Sequence, residues 1–585
     1  PTPKPESIQS LFTDASAVLA HVHEDPPFDD FQLQPLLSRK LSELGPALAW
    51  FDLNGDGAED LLVGSGAGGM PAVFHGDGRG GLTRQADSVL ALPSPLDTTG
   101  IVGLNLGGGR REVVVGIASQ EDPGSQRPRA RVRVIGAPDS EPLVPEAVAS
   151  SGPVVAGAVG GVGSLVLFVG GRCIPGRYPE AADSALWVRE GDRWKAHPAA
   201  NEVFRSVGLV SGAVFTDLDG DGNSELVLAC DWGSPKVYAW VQGLPVDRTR
   251  EWGLEDLTGW WNSVQSVDCD GDGRMDLVLG NLGRNSRWQD HLARPARVYY
   301  GEADGDGRLE LLEAFWHNGS QKWLPWRDAE TVGRSFPGLS ERLPTFRAYG
   351  QASIDDILGS RAADFRHREA STGDSMMLLN RGGRFERRPL PIEAQMAPVF
   401  GVAVADFDGD GREDLALAQN FFGVEPETSR FDAGRGLILM GHGDGSFRPL
   451  DGTRSGVIVW GEQRAVAAAD YDGDGRTDLA LSQNRGATRL FRNTGGRPGL
   501  KVRLIIRSAC TSRMREEAKP PISAWRTRAG SAPARAARLR ATTVAKRCPV
   551  RSVGPKLIQP PCSVAMMASP LPGAASTRVT PKPSS

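Results

Sequence analysis

Short alternating runs of apolar and polar residues, each closed by a glycine- or aspartate-rich turn, recur along most of the chain. The first complete unit begins with the alternating stretch Ala47-Leu-Ala-Trp-Phe51, an acidic turn, and a second run, Leu61-Leu-Val-Gly64. A glycine-rich turn, a third run (Ala72-Val-Phe74), the turn Gly76-Asp-Gly78 and a fourth run follow. Period-two alternation over four to eight residues is the signature of a half-buried strand. Four short antiparallel strands make one propeller blade. Units of this kind begin near residues 52, 105, 158, 217, 268, 406 and 470. The pattern predicts an all-β fold: a β-propeller of seven blades, with eight as the alternative, each of four antiparallel strands, carrying a partly helical insertion.

The predicted organisation is an N-terminal segment (1–44), the propeller (45–506) with an insertion at 317–373, and a tail (507–585). The insertion interrupts the unit that starts near 268, and its helical part is expected around residues 340–358. An open ring would leave strand edges unpaired. The run Val18-Leu-Ala-His-Val-His23 is therefore expected to pair with Leu490-Phe-Arg492 in the last blade. His21 and His23, on one face of that run without a third ligand nearby, read as surface residues.

Length supports repetition, because 585 residues exceed one ordinary core unless small units are stacked. The 72 glycines and 42 prolines suit a turn-rich fold. The net charge of -5 conceals an asymmetry: from Arg507 onward there are 15 Lys+Arg against 2 Asp+Glu, leaving 51 basic and 69 acidic residues in 1–506. The tail lacks periodicity and, with Trp525 as its one aromatic, the stacking residues of a nucleic-acid binder. Its composition fits disorder or translation in a shifted reading frame, and no nucleic-acid partner is expected. Six scattered cysteines have neither zinc nor redox-pair spacing; Cys230 and Cys269 could meet between neighbouring repeats but read as buried free thiols. No run approaches the roughly 20 apolar residues of a membrane helix.

The acidic turns carry the candidate chemistry. Asp406-Phe-Asp-Gly-Asp-Gly-Arg-Glu-Asp414 places carboxylates at positions 1, 3, 5 and 9, with Gly409 and Gly411 able to take the positive φ of a tight turn. Ca²⁺ takes six to eight oxygens at about 2.3–2.6 Å. Asp406, Asp408, Asp410 and Asp414 supply carboxylates, and Arg412 a backbone carbonyl. The pattern recurs with Asp52, Asn54, Asp56, Ala58 and Asp60; with Asp217, Asp219, Asp221, Asn223 and Glu225; and with Asp268, Asp270, Asp272, Arg274 and Asp276. It recurs again with Asp470, Asp472, Asp474, Arg476 and Asp478, and as a close variant with Glu302, Asp304, Asp306, Arg308 and Glu310. Up to six Ca²⁺ sites are expected. The units near 105 and 158 keep the strands without the acids and are expected to bind no metal.

These tandem loops between strands, with Phe400-Gly401 ahead of one of them, resemble the FG-GAP (VCBS-type) repeats of bacterial exported proteins and of integrin α-subunit propellers. The resemblance covers residues 12–504. Leu44-Gly-Pro-Ala-Leu48, Val169-Gly-Gly-Arg-Cys-Ile-Pro-Gly-Arg-Tyr-Pro179, Gly259-Trp-Trp-Asn-Ser263 and Gly280-Asn-Leu-Gly-Arg-Asn-Ser286 look like bacterial FG-GAP proteins with a C-terminal ASPIC/UnbV domain. Arg492-Asn-Thr-Gly-Gly496 and Leu500-Lys-Val-Arg-Leu504 are similar to the start of that domain, but the residues after Leu504 do not look like it. The resemblance implies a Ca²⁺-stabilised propeller that binds a partner and does not imply catalysis.

The function expected is an exported, calcium-binding module for a protein or glycan ligand, extracellular, at the cell surface or periplasmic. Millimolar external Ca²⁺ would fill such loops, and a chain starting at Pro1 with no leader fits a removed signal peptide. Nine of the 14 tryptophans (Trp232, Trp240, Trp252, Trp260, Trp261, Trp288, Trp316, Trp323 and Trp326) lie in or near the insertion and are the expected ligand surface. The alternative is a polysaccharide-lyase-like propeller, which needs a base and a cationic group beside a uronate. Tyr178 with Arg172 and Arg177, or His317 and His367, are its candidates.

Overall fold

The computed structural model describes residues 9–86, 93–94, 96–122, 131–135, 149–159 and 165–499. The tail and the residues resembling the start of an ASPIC/UnbV domain, 500–504, lie outside them. The protein is all-β, built from several four-stranded antiparallel sheets consistent with a propeller.

Seven sheets follow the predicted units. Sheet I comprises Leu48–Phe51, Asp60–Val63, Ala72–Gly76 and Leu82–Arg84; sheet II, three-stranded among the described residues, comprises Thr98–Gly107, Arg110–Ile117 and Arg131–Ile135. Sheet III holds Ser150–Ala158, Leu165–Cys173, Ala185–Glu190 and Arg193–Ala196, and sheet IV holds Leu209–Thr216, Glu225–Gly233, Lys236–Val241 and Leu244–Asp247, with Gly259–Trp260 paired to the end of Glu225–Gly233 as a fifth strand. Sheet V is Ser263–Val267, Asp276–Gly280, Met376–Asn380 and Phe385–Pro389, and sheet VI is Val399–Ala405, Asp414–Gln419, Leu437–Gly441 and Phe447–Leu450. Sheet VII is Gln463–Ala469, Asp478–Gln483 and Arg489–Asn493, completed by Phe12–Asp14 from the start of the chain.

The first strands touch in order from sheet I to sheet VII, and that of sheet VII touches that of sheet I. Each of these seven junctions has its own apolar cluster. Between sheets V and VI, for example, Met377 and Leu379 meet Leu415 and Leu417; between VII and I, Ala480 and Leu490 meet Leu61 and Phe74. The second strand of sheet VI, Asp414–Gln419, is buried throughout because neighbouring sheets cover both of its faces.

The edge of sheet VII is closed by Phe12–Asp14, with Phe12 opposite Asn493 and Asp14 opposite Phe491. The pairing expected of residues 18–23 therefore belongs to a segment nearer the N-terminus. Phe12 is fully buried and packs edge-on against Phe407 at 5.6 Å, an anchor that no residue of 18–23 provides. Residues 16–18 form a single helical turn, and Val22 makes only an isolated bridge to Ala487. His21 and His23 are buried rather than exposed: His21 Nδ1 lies 2.8 Å from the Thr488 hydroxyl, and His23 Nδ1 accepts from the Arg485 amide at 3.1 Å.

Between the second and third strands of sheet V lies a further four-stranded sheet. Its order is Lys322–Pro325, Glu310–His317, Ala296–Gly301, Arg366–Ala370. Short helices Ala329–Ser335, Leu339–Arg342, Phe346–Gln351 and Ile354–Leu358 cover it. The segment expected at 317–373 is thus the later part of a longer inserted unit, which takes the Glu302 loop with it. Its core joins Leu36, Leu37 and Leu41 of the N-terminal segment to Trp232, Trp260 and Trp288.

Those tryptophans correct the expected ligand surface. Trp232, Trp252, Trp260, Trp261 and Trp288 are buried, and a chain of ring contacts runs from Trp232 to Trp260 (4.9 Å), Trp288 (5.4 Å) and Trp326 (4.9 Å). Packing many large rings, mostly edge to face, is how this junction between insertion and sheets excludes water. Trp316 and Trp323 stay partly open, their faces covered by Arg294 and Arg297. Cys173, Cys230 and Cys269 are buried free thiols.

Candidate metal centres

Every acidic loop joins the first and second strands of its sheet, and both glycines adopt positive φ, as at Gly409 (+73°) and Gly411 (+87°). In each loop the position-5 carboxylate accepts from the amide of position 7. The donors are Ala58, Asn223, Arg274, Arg308, Arg412 and Arg476, at 2.7 to 3.0 Å. The position-1 carboxylate gathers the glycine amides: Asp217 accepts from Gly220 (2.7 Å) and Gly222 (2.9 Å), and Asp406 from Gly409 (2.8 Å) and Gly411 (2.7 Å). These side-chain to backbone bonds curl the turn on itself before any ligand is considered.

Position 9 has a structural duty that spacing alone did not reveal. One oxygen of Asp414 accepts from the Phe407 amide at 2.9 Å, and the other accepts from Gly441 in the third strand at 2.8 Å. Asp60, Asp276 and Asp478 repeat this clasp with Gly76, Asn380 and Asn493. The acid at position 9 thus fastens the loop to the sheet.

Three carboxylates converge within 4.8 Å in the loops of Asp217, Asp219 and Glu225; Asp268, Asp270 and Asp276; Asp304, Asp306 and Glu310; and Asp406, Asp408 and Asp414. Burial, then the adjacent carboxylates, push Glu225 and Glu310 up to about 7 and Asp414 and Asp478 to about 8. Asp268 Oδ1 and Asp270 Oδ1 are buried with no hydrogen-bond donor. Converging, under-satisfied oxygens of this kind fit a hard cation.

The loops differ in what already neutralises them. Arg111 lies 3.5 Å from Asp52, and its guanidinium occupies the space where a side chain on Gly55 would sit. Arg381 contacts Asp270 at 2.5 Å, Arg476 contacts Asp474 at 2.8 Å and Arg492 pairs with Asp472. Among the described residues, no Arg or Lys pairs with Asp217, Asp219, Asp221 or Glu225.

The residues considered for lyase chemistry do not converge on an open groove. Tyr178 is buried and its hydroxyl donates to Asp231 Oδ2 at 3.0 Å; Arg172 reaches the same oxygen at 3.1 Å, and Arg39 binds the other. Burial raises the Asp231 carboxyl, but Arg39 and Arg172 outweigh it and hold the group below the ordinary carboxylate range. Burial and Asp231 push the Tyr178 phenol upward, away from service as a base. Arg177 turns to Glu180 at 2.6 Å. His317 is exposed and bonded to Ser320, while the His367 ring lies tilted against Tyr299 at 5.5 Å.

Residues 217–279 match the family described as FG-GAP-like repeat, from the acidic loop of sheet IV through its later strands into the second strand of sheet V. The chain is also similar to cartilage acidic protein 1. The Mus musculus protein is 26% identical over 376 residues, 52% of this chain and 56% of that one; the Homo sapiens protein is 25% identical over 373 residues, 52% and 54%. The chain spans about half the length of the curated relatives it matches. Among solved structures, the V. cholerae biofilm matrix protein Bap1 aligns with 81% of this chain and 91% of its own, at 11% identity and a TM-score of 0.31.

Proposed function

We propose that this chain is a seven-bladed, calcium-stabilised β-propeller of an exported protein, and that it works as a binding module for a protein or glycan. The observation that carries the reading is the succession of seven sheet-to-sheet junctions, the last returning to the first, with acidic loops set between the first two strands of five of the sheets. Ca²⁺ would rest on the oxygens of positions 1, 3, 5 and 9 and the carbonyl of position 7. It would offset carboxylate repulsion that the protein alone leaves in place. The FG-GAP-like match over 217–279 and the similarity to a protein named for cartilage and for acidity support the same reading. No helix among the described residues is long and apolar enough to cross a membrane.

The ligand-facing part is the inserted unit, an elaboration displayed from one sheet. Its partly open Trp316 and Trp323, with Arg294 and Arg297 stacked on them, form an aromatic and cationic plate suited to an acidic glycan or peptide. The test is binding of the Ca²⁺-loaded protein to panels of matrix proteins and glycans, with thermal unfolding and metal stoichiometry measured in EDTA and in millimolar Ca²⁺. Ligand capture that Trp323→Ala abolishes and several bound ions that raise Tm support the reading. An unchanged Tm with no bound calcium would remove its metal part.

A further inference from the structure

A second kind of carboxylate cluster lies away from the repeated loops. Asp25 comes from the N-terminal segment, Asp97 immediately precedes the first strand of sheet II, and Glu121 follows the end of its second strand. The acidic loops occupy the other ends of first and second strands. Ligand-type oxygens of Asp25, Asp97 and Glu121 all lie within 4.8 Å of one another.

Two features separate this cluster from an ordinary acidic surface. Asp97 is 3% exposed and the Asp25 side chain 2% exposed. Asp25 Oδ1 and Asp97 Oδ1 are both buried without a hydrogen-bond donor. The backbone of Gly66 closes over the first of them, so that a Cβ there would come within 2.6 Å of Asp25 Oδ1. Buried carboxylate oxygens left unpaired in contact with other carboxylates are costly unless something else satisfies them.

The surrounding charges do not supply that partner. Arg485 Nη2 stands 3.9 Å from Asp25 Oδ2, beyond hydrogen-bonding distance, while its Nη1 is committed to Glu43 at 2.9 Å. Lys40 is likewise held by Glu43 at 2.9 Å, and Asp30 and Glu462 add further negative charge nearby. Burial first, then the neighbouring acids, push Asp97 up to about 9, Glu121 to about 7 and Asp25 to about 6.

We propose that Asp25, Asp97 and Glu121 form a further site for a hard divalent cation of the Ca²⁺ class, which latches the N-terminal segment onto sheets I and II. Three carboxylates from three separate stretches of chain give the charge such an ion requires, and the unpaired oxygens of Asp25 and Asp97 give it vacant ligands. The site is independent of the repeated loops, since none of its residues belongs to one.

The experiment uses the full chain and Mn²⁺ as probe. Crystals soaked in Mn²⁺ should give an anomalous difference peak in contact with Asp25, Asp97 and Glu121, whatever the occupancy of the loops. In solution, Asp97→Asn should bind one ion fewer than the wild-type chain by equilibrium dialysis and lose part of the Ca²⁺-induced rise in Tm. Wild-type crystals without a peak at these residues would overturn the proposal and leave a pair of acids sharing a proton. Equal stoichiometry in the folded variant would do the same. Because the diffraction test needs no variant, a misfolded Asp97→Asn protein would leave it decisive.

Discussion

Asn493 donates from Nδ2 to the carbonyl of Phe407 at 2.7 Å, tying two residues 86 positions apart in neighbouring sheets. Its second Nδ2 hydrogen bond goes to Thr477 at 3.1 Å, and its amide donates to Asp478 at 2.7 Å. Asn380 repeats the arrangement with Leu218 (2.7 Å), Met275 (3.1 Å) and Asp276 (2.7 Å). One asparagine thus holds its own acidic loop and that of the sheet before it. Asn493→Ala keeps the backbone bond to Asp478 but strands the buried carbonyl of Phe407, the half-buried carbonyl of Thr477 and the Gly496 amide. It should cost about 1–3 kcal/mol, read as a lower urea midpoint, and the same change at Asn380 should behave alike.

The acidic loops should differ in metal affinity according to the arginines already on them. Asp217→Asn should remove one bound Ca²⁺ and lower the Ca²⁺-dependent gain in Tm. Asp52→Asn should change the stoichiometry little, since Arg111 already stands against Asp52 and Asn54 occupies position 3. Calorimetric titration of both variants checks the order, and equal losses would refute the role given to the arginines.

Metal-free protein should lose stability as pH rises from about 6.5 to 9. Glu225 rises from 4.5 to about 7 on folding, and Asp414 and Asp478 from 3.8 to about 8. A raised acid holds its proton in the folded state over a range where the unfolded chain has released it. Its contribution is complete below the unfolded value and disappears as pH passes the folded one. Buried His21 and His23, lowered by burial to about 4 and about 3, act in the opposite sense and only below about 6.5. Tm in EDTA across pH 6.5–9 should therefore fall. In millimolar Ca²⁺ the fall should be reduced or reversed, because the cation binds the deprotonated carboxylates.

Phe12→Ala removes a fully buried ring from the junction of sheets VI and VII and should cost about 3–5 kcal/mol. Thr13→Ala, an exposed change in the same strand, should cost little. Chemical denaturation of both variants separates the anchor from the strand as such.

Asp231→Ala should destabilise by about 3–5 kcal/mol, since it leaves Arg39 and Arg172 buried without their counter-charge. Tyr178→Phe removes one hydrogen bond and should cost about 1 kcal/mol. Circular dichroism melts of the pair test whether this cluster is a structural joint.

The acidic turns and the short antiparallel strands around them are legible because turn chemistry is local. Glycines at positions 4 and 6 and acids at 1, 3, 5 and 9 act within nine residues, and the structure gives each loop the same fold. The closing strand is not distinguishable by pattern, because Phe12–Asp14 and residues 18–23 alternate alike and the fit of Phe12 against Phe407 separates them. Composition marked the tryptophans without indicating which way they face, and the rings of Trp232, Trp260 and Trp288 turned inward. The inserted sheet reads in sequence as part of its host unit because the Glu302 loop obeys the same local rule. Arg39, Asp231 and Arg172 meet across separations of 192 and 59 residues, and no short-range pattern announces such a meeting.

Closure of the last sheet by Phe12–Asp14 gives the chain a particular schedule of assembly. On the ribosome the first strand emerges hundreds of residues before its partner Arg489–Asn493 exists. During that interval Phe12 lacks Phe491 from its native cluster, and sheet VII still lacks its outer edge. Completing sheet VII then means joining strands from distant parts of the chain, so damage to either strand would be felt as a failure to finish rather than a failure to begin.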